Sequence, residues 1–475
     1  MRTANRTSTT WIVVLAGIGS LMAALDTVVV AAALSTIQHE LDATVEQLEW
    51  TVNAYNLSFA VLMITGAALG DRYGRRAGYA AGLGLFSVAS AACALAPDAG
   101  WLIAARALQG AGAALLAPLS LTLVGAAFPP EKRGAAIGLF SAVAGIAVAA
   151  GPTIGGLVID GISWEWIFWL NVPIGLIAIP FVLTRMQESR GGDAQLDPPG
   201  LVLVGGGALG IVWGLVRGNS AGWGSVEVVG ALAAGVVMMA SFVAWERRAA
   251  QPMVPLALFR SRGFATGNAA IFFTFASLFS CVFFFSQLLQ FALGYDPLET
   301  GLRLLPWTGM FLLVAPVAGA VADRIGERPL MVGGLLMQAV GAGWLALIAD
   351  PGLGYLEMVG PFLVSGVGVA LAIPAAQNAA LGRLDMATVG KASGVNSMLR
   401  ELGGVFGIAV VGAVFAGVGG YASAQAFTDG FGPAIALSAG LALIGAIASL
   451  AMPPRPAEPT ADVVAEPAVA LPAVP

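Results

Sequence analysis

Four ionisable side chains stand where their surroundings are apolar. Asp26 lies about 16 residues into the run that begins at Trp11, or about 24 Å along a helix. Arg106 lies just inside the far end of the run 101–124, at comparable depth. An acid and a base at one level of a low-dielectric interior can pair, and a protonatable Asp beside an Arg is a proton switch; a static ion pair between two helices would use the same residues. Arg400 and Glu401 stand about ten residues into the run 391–417. Neighbours on a helix point in different directions, so one can face a cavity while the other faces a helix. Glu401 is thus a second candidate for proton binding, or a packing partner.

Another constellation falls between runs. Within 66–76, Asp71, Arg72, Gly74, Arg75 and Arg76 crowd one short turn. A sparser copy returns as Gly319, Asp323, Arg324, Gly326 and Arg328, at an offset of 252 residues (71 to 323). Topology alone would need only the arginines. A charged, glycine-bent hinge repeated at half-chain distance is therefore expected to gate two similar halves. Gly151-Pro152, followed by Gly155-Gly156, predicts a kinked helix that packs closely on its neighbours.

Other chemistry finds little material. Cys93 and Cys281 both fall in apolar runs and read as core residues. A single histidine, His39, leaves no histidine-rich metal site, and no cofactor is expected. Gly205–Gly210 spells Gly-x-Gly-x-x-Gly but follows no strand, so it is not a nucleotide loop. Trp164, Trp166 and Trp169 predict an aromatic belt at a membrane interface.

The elements that must hold these groups follow from composition. The 475 residues are 58% hydrophobic and 10% charged, against about 25% charged in soluble domains. This predicts an all-α polytopic membrane protein, and the net charge of −5 offers no basic patch for nucleic acid. Fourteen runs approach the ~20 residues that a spanning helix needs: 11–34, 47–69, 77–96, 101–124, 134–158, 166–186, 200–217, 225–245, 264–291, 302–322, 329–349, 355–382, 391–417 and 431–452. With both termini cytoplasmic, eighteen of the 22 Lys and Arg fall on the inner side.

The symmetry extends beyond the hinge. Gly110, Gly112 and Pro118 match Gly366, Gly368 and Pro374 at an offset of 256 (110 to 366). Gly134, Gly138, Gly151 and Gly156 match Gly390, Gly394, Gly407 and Gly412 in the same register. The expected organisation is a cytoplasmic N-terminus (1–10), a six-helix bundle (11–186), an inserted helix pair with its linkers (187–263), a second six-helix bundle (264–452) and a disordered tail (453–475). Linker 246–263 mixes apolar residues with Arg247, Arg248, Arg260 and Arg262 and reads as interfacial.

Taken together, these residues resemble the fourteen-helix drug:proton antiporters of the major facilitator superfamily, over nearly all of 10–450. Asp71-Arg72-x-Gly74-Arg75-Arg76 is similar to the family's gating motif, with Ala67 where its first glycine is usual. Leu25-Asp26-Thr27-Val28-Val29 and Arg106-Ala-Leu-Gln109-Gly110 resemble the span 1 and span 4 motifs. Gly151-Pro152-x-x-Gly155-Gly156 resembles the span 5 motif that exporters share and importers generally lack, although Ala147 replaces one glycine. Trp164-x-Trp166-Ile167-Phe168 with Asn171-Val172-Pro173 is typical of the fourteen-helix subgroup, Glu165 standing where a basic residue is common.

The resemblance implies a major facilitator fold, two six-helix bundles plus two inserted helices. It implies a proton-coupled secondary exporter of amphipathic drugs, antibiotics or toxic metabolites, working by alternating access as a monomer in the bacterial cytoplasmic membrane. Protons, the lipid bilayer and a lipophilic cargo are its partners; acidic residues favour a cationic cargo mildly, and Arg106 and Arg400 weaken that preference. The alternatives are an importer of the same fold and a narrow-substrate metabolite exporter. A membrane-embedded enzyme would need a nucleophile–base pair or metal ligands at membrane depth. An ATP-driven pump would need a phosphate-binding loop that the sequence lacks.

Overall fold

A computed structural model describes residues 9–128, 147, 150–191, 196–382, 384 and 386–453. The expectations placed on residues 1–8, on most of run 134–158 and on the tail from 454 lie outside the described residues. Apolar runs in a bilayer must satisfy their own backbone N–H and C=O groups, and these do so as helices. In chain order they are α1 (Thr9–Glu40), α2 (Val45–Tyr73), α3 (Arg75–Ala94), α4 (Ala99–Ala127), α5 (150–161), α6 (Trp166–Trp169) and α7 (Asn171–Arg185). Then come α8 (Pro198–Ala221), α9 (Val226–Glu246), α10 (Arg262–Gln287, prolonged by a π turn Leu288–Ala292), α11 (Pro297–Arg303) and α12 (Leu305–Ile325). The last four are α13 (Glu327–Ile348), α14 (Tyr355–Leu381), α15 (Met386–Val418) and α16 (Ala424–Leu450).

Among the described residues, 12 helical stretches are long and apolar enough to cross a membrane. Pro297–Arg303 and Leu305–Ala318, bent by 41°, make a thirteenth if taken as one span. The fifth expected run is described only from 150, apart from Ala147, so the described residues do not establish fourteen spans. The bend corrects the straight run expected at 302–322. Pro306 has no N–H to continue the helix and its ring crowds the carbonyl of Leu302, so the chain turns at Leu304. Pro173 breaks α6 from α7 against the carbonyl of Trp169 in the same way. Gly74 (φ 123°) and Gly326 (φ 85°) each make a one-residue corner between helices, in the left-handed region that favours glycine.

α4 packs on α2 and α3, and α14 packs on α12 and α13, which is the sequence repeat written in space. The repeated glycines occupy matching contacts. A side chain at Gly110 would strike the Tyr55 carbonyl of α2, and one at Gly366 the Trp307 carbonyl of α12. Gly112 lies against the Phe86 backbone of α3, and Gly368 against the Gln338 backbone of α13. Gly151 faces Val28 of α1 as Gly407 faces Ala276 of α10; Gly156 and Gly412 make the contacts to the opposite group of helices. Small residues at such crossings let backbones approach where lipid gives no hydrophobic drive for association.

The two groups meet along α2–α15 and along α1 with α10 and α11. The hydrogen bonds across this seam sit toward the Thr44 end of the molecule. There Gln290 Nε2 donates to the Ala32 carbonyl at 2.9 Å, Ser35 bonds Gln290, and Thr153 Oγ1 donates to the Gly301 carbonyl at 3.2 Å.

The α8–α9 hairpin lies over the α2–α15 side. Arg217 pairs with Glu46 of α2 at 3.1 Å and with Glu227 of α9 at 3.0 Å, while Asn219 donates to the Ala413 carbonyl of α15 at 2.6 Å. One turn of α8 therefore holds both groups.

Substitution of Gly110 or Gly366 by Val is expected to abolish monodisperse protein in detergent, because backbone lies where Cγ must go. Gly309→Ala, which meets open space, should leave the elution profile and melting temperature unchanged; equal damage from all three would show that close crossing is not the constraint.

Candidate functional site

Asp26 and Arg106 come together. Arg106 is fully buried and Asp26 is 4% exposed, and the guanidinium Nη1 bonds Asp26 Oδ2. Six helices build the site. Because α4 runs close to α2 and α3, Arg106 and Gln109, on the turn before the two glycines, reach the groups opposite. Arg106 Nε donates to the Thr51 carbonyl of α2 at 3.1 Å, and its Cζ lies 4.2 Å from the centre of the Tyr55 ring. Such a desolvated cation–π contact is worth about 2 kcal/mol.

Gln109 joins acid to base: its Oε1 accepts from Arg106 Nη1 at 2.7 Å, and its Nε2 donates to Asp26 Oδ1 at 2.7 Å. Behind it, Ser90 Oγ of α3 accepts from Gln109 at 3.3 Å and from Asn171 of α7 at 3.1 Å, and donates to the Phe168 carbonyl at 2.8 Å. A buried ion pair survives only when its remaining hydrogen-bonding groups are satisfied, and this network satisfies most of them. Arg106 Nη2 stays buried without an acceptor. Protonating Asp26 would cancel the charge that holds Arg106, so the pair can exist in two states.

Arg400 and Glu401 are not brought into that pair. They bond each other, Nε to Oε1 at 2.8 Å, with Glu401 3% exposed and Arg400 over the Phe275 ring at 5.6 Å. The Tyr55 hydroxyl donates to the Ala23 carbonyl of α1 at 3.2 Å.

The Asp71–Arg76 corner is held by its own side of the molecule. Arg75 Nε pairs with Asp71 at 2.7 Å, and the Asp71 carbonyl accepts from Gly191 N–H at 3.0 Å. Glu188 caps α3, accepting from the Arg76 and Ala77 N–H groups at 2.9 and 3.2 Å, as an anion at a helix N-terminus should. The guanidinium of Arg76 donates to the Leu183 carbonyl at 3.0 Å, and Arg72 lies exposed over Tyr73. In the second copy Arg324 is exposed, and the side chain of Asp323 lies outside the described residues.

Residues 150–161 are helical through Pro152. Gly151 and Gly155 lie against Val28 and Val29, and Gly156 against Pro297 and Leu298, so the close packing expected of this motif is present. Its bend would be measured against residues 148 and 149, outside those described.

Sequence reading missed several participants. Glu49, Asn53 and Asn56 line one face of α2, are at most 2% exposed, and carry amide or carboxylate atoms without partners. Their i, i+4, i+7 spacing in an apolar run was the readable signal. Glu188 was hidden in a linker without periodicity. Trp164, expected in an aromatic belt, lies in the turn before α6 and is instead buried, its indole donating to Glu40 of α1 at 2.8 Å.

Gln109→Leu keeps the volume and removes the bridge. It should lower stability by about 1–3 kcal/mol, the cost of orphaning buried polar groups, read as a lower melting temperature of purified protein; an unchanged value would exclude Gln109 as the joint.

The sequence matches the family model described as Major Facilitator Superfamily over residues 16–408 and 269–475. It is 38% identical over 402 residues to the tetracenomycin C resistance and export protein of Streptomyces glaucescens, covering 84% of this chain and 74% of that one. It is 37% identical over 404 residues to the multidrug resistance protein Stp of Mycobacterium tuberculosis, with the same coverage. Its fold superimposes on the partially occluded inward-open xylose transporter of E. coli with a TM-score of 0.62, at 14% identity over 92% of this chain and 96% of that one. With helices repeated in two groups and a match over most of its length, this multi-pass membrane chain belongs to the major facilitator superfamily.

Proposed function

We propose that the chain is a proton-coupled exporter of drug-like small molecules, and that the buried Asp26–Arg106 pair is where the proton acts. The observation that carries this reading is one carboxylate and one guanidinium out of water, bridged by Gln109, with a guanidinium nitrogen left without an acceptor. A proton on Asp26 would free Arg106 and change the forces between α1, α2 and α4. The proton's binding energy then biases one arrangement of the helices over the other.

The relatives named for antibiotic resistance, multidrug resistance and export support the direction of transport. In this reading the chain has fourteen spans, with run 134–158 as the fifth and α8–α9 as the inserted pair between bundles 11–186 and 264–452. Both termini face the cytoplasm of a bacterial cell, so the Gly74 corner lies inside and the Thr44 turn outside. The seam between the bundles is the cargo path, Glu49, Asn53 and Asn56 its unpartnered polar strip. The Asp71–Arg75 corner, braced by Glu188, governs the inner end, with Asp323 and Arg324 as its counterpart.

Ethidium efflux from loaded cells or proteoliposomes under an imposed pH gradient tests this. Asp26→Asn should abolish gradient-driven efflux while the protein still inserts and stays monodisperse. Normal pumping by Asp26→Asn would move the coupling elsewhere, with Glu401→Gln the next variant to measure.

A further inference from the structure

Two carboxyl groups outside this machinery meet where the linker before α8 touches the end of α9. Asp197 caps α8, its Oδ1 accepting from the Gly200 N–H and from the Trp245 indole, each at 2.9 Å. Glu246 ends α9, is 3% exposed, and its Oε2 accepts from the Val254 N–H at 3.0 Å. The other oxygen of each, Asp197 Oδ2 and Glu246 Oε1, is buried without a hydrogen-bond donor. Both converge on Gly200: a Cβ built there would lie 2.5 Å from Asp197 Oδ2 and 3.0 Å from Glu246 Oε1. The two orphan oxygens therefore face one small space beside the start of α8.

Among the described residues, what faces the pair is almost free of opposing charge. α8 contributes Asp197 and the Gly200 N–H, α9 contributes Glu246 and the Trp245 indole, and the segment after α9 contributes only backbone at Met253 and Val254. Arg247 and Arg248 follow on the exposed side, and among the described residues no cation forms an ion pair with either carboxyl. Two carboxylates in contact without a cation cannot both be charged at modest cost; one proton between them turns repulsion into an O–H···O⁻ bond.

We propose that Glu246 and Asp197 form a second proton-binding site, a proton on the orphan oxygen of Glu246 donated to the orphan oxygen of Asp197, that fastens the end of α9 to the start of α8. The linker before α8 supplies Glu188, Ser189 and Gly191 to the Asp71–Arg76 corner, Ser189 accepting from the Arg75 N–H at 2.9 Å. When the proton leaves to water, both groups are charged and repel, and the hold on Asp197 is reduced to the Gly200 N–H and the Trp245 indole. The fastening is present at low pH and is lost as pH rises. If the corner gates the inner end, cytoplasmic acidity sets how firmly it is held; that consequence rests on the export reading, whereas the proton site does not.

The first test needs no cargo. Melting temperatures of the purified full-length protein are measured from about pH 5.5 to about pH 8.5, a range centred well above ordinary carboxyl titration. The intact protein should lose several degrees as pH rises, and Glu246→Gln, which keeps a neutral hydrogen-bonding group, should remove most of that fall. Asp197→Asn is the second variant. Parallel profiles for the intact protein and both variants would overturn the proposal, as would failure of both variants to fold at every pH, since that would mean the groups are needed as anions.

The second test is ethidium efflux at fixed pH difference and varied internal pH. Glu246→Gln should still pump while losing the several-fold dependence on internal pH that the intact protein shows; unchanged dependence would overturn the regulatory role. Failure of the coupling reading shows separately, as normal pumping by Asp26→Asn.

Discussion

Everything in the first group of helices is arranged around keeping two opposite charges out of water. An isolated guanidinium or carboxylate at this depth costs several kcal/mol even after relaxation, so Arg106 and Asp26 persist only with partners fixed in place. α1 supplies the acid, α4 the base and Gln109, α2 a carbonyl and an aromatic face, and α3 and α7 the groups that fix Gln109 from behind. Each partner must arrive within hydrogen-bond distance, which requires the helix axes to run close. The glycines at 110 and 112 meet that requirement, and the polar site and the small-residue crossings are therefore one constraint.

The second group repeats the crossings without repeating the site. Gly366, Gly368 and Gly407 hold α14 and α15 to their neighbours as Gly110, Gly112 and Gly151 hold α4 and α5. Its charges are placed otherwise: Arg400 and Glu401 are sequence neighbours that pair with each other, and Arg400 keeps partial exposure. The shared backbone plan thus carries an ion pair between helices, bridged by a third side chain, in one half and a pair between sequence neighbours in the other.

Much of this was legible before any coordinates. Apolar run lengths located the helices because a bilayer admits few alternatives, and the offset of 256 between glycines anticipated which crossings would be equivalent. Equal depth suggested that Asp26 and Arg106 could pair, and they do. What could not be read had physical reasons. The bend at Leu304 depends on the single missing N–H of Pro306 inside an otherwise continuous run. Glu188 owes its role to a linker folding back on a helix end, and Trp164 is buried in a turn by a bond to Glu40 of a distant helix end; neither leaves a periodic trace. Glu49, Asn53 and Asn56 did leave one, in a helix that composition had marked only as apolar.

The position of the α8–α9 hairpin has a consequence for how a greasy molecule could reach the seam. α8 lies across the junction of α2 and α15, and α9 lies outside α8. A solute dissolved in the surrounding hydrocarbon therefore finds that flank walled off by two further helices. The hairpin thus turns a flank where α2 and α15 would meet lipid directly into one shielded by two further helices.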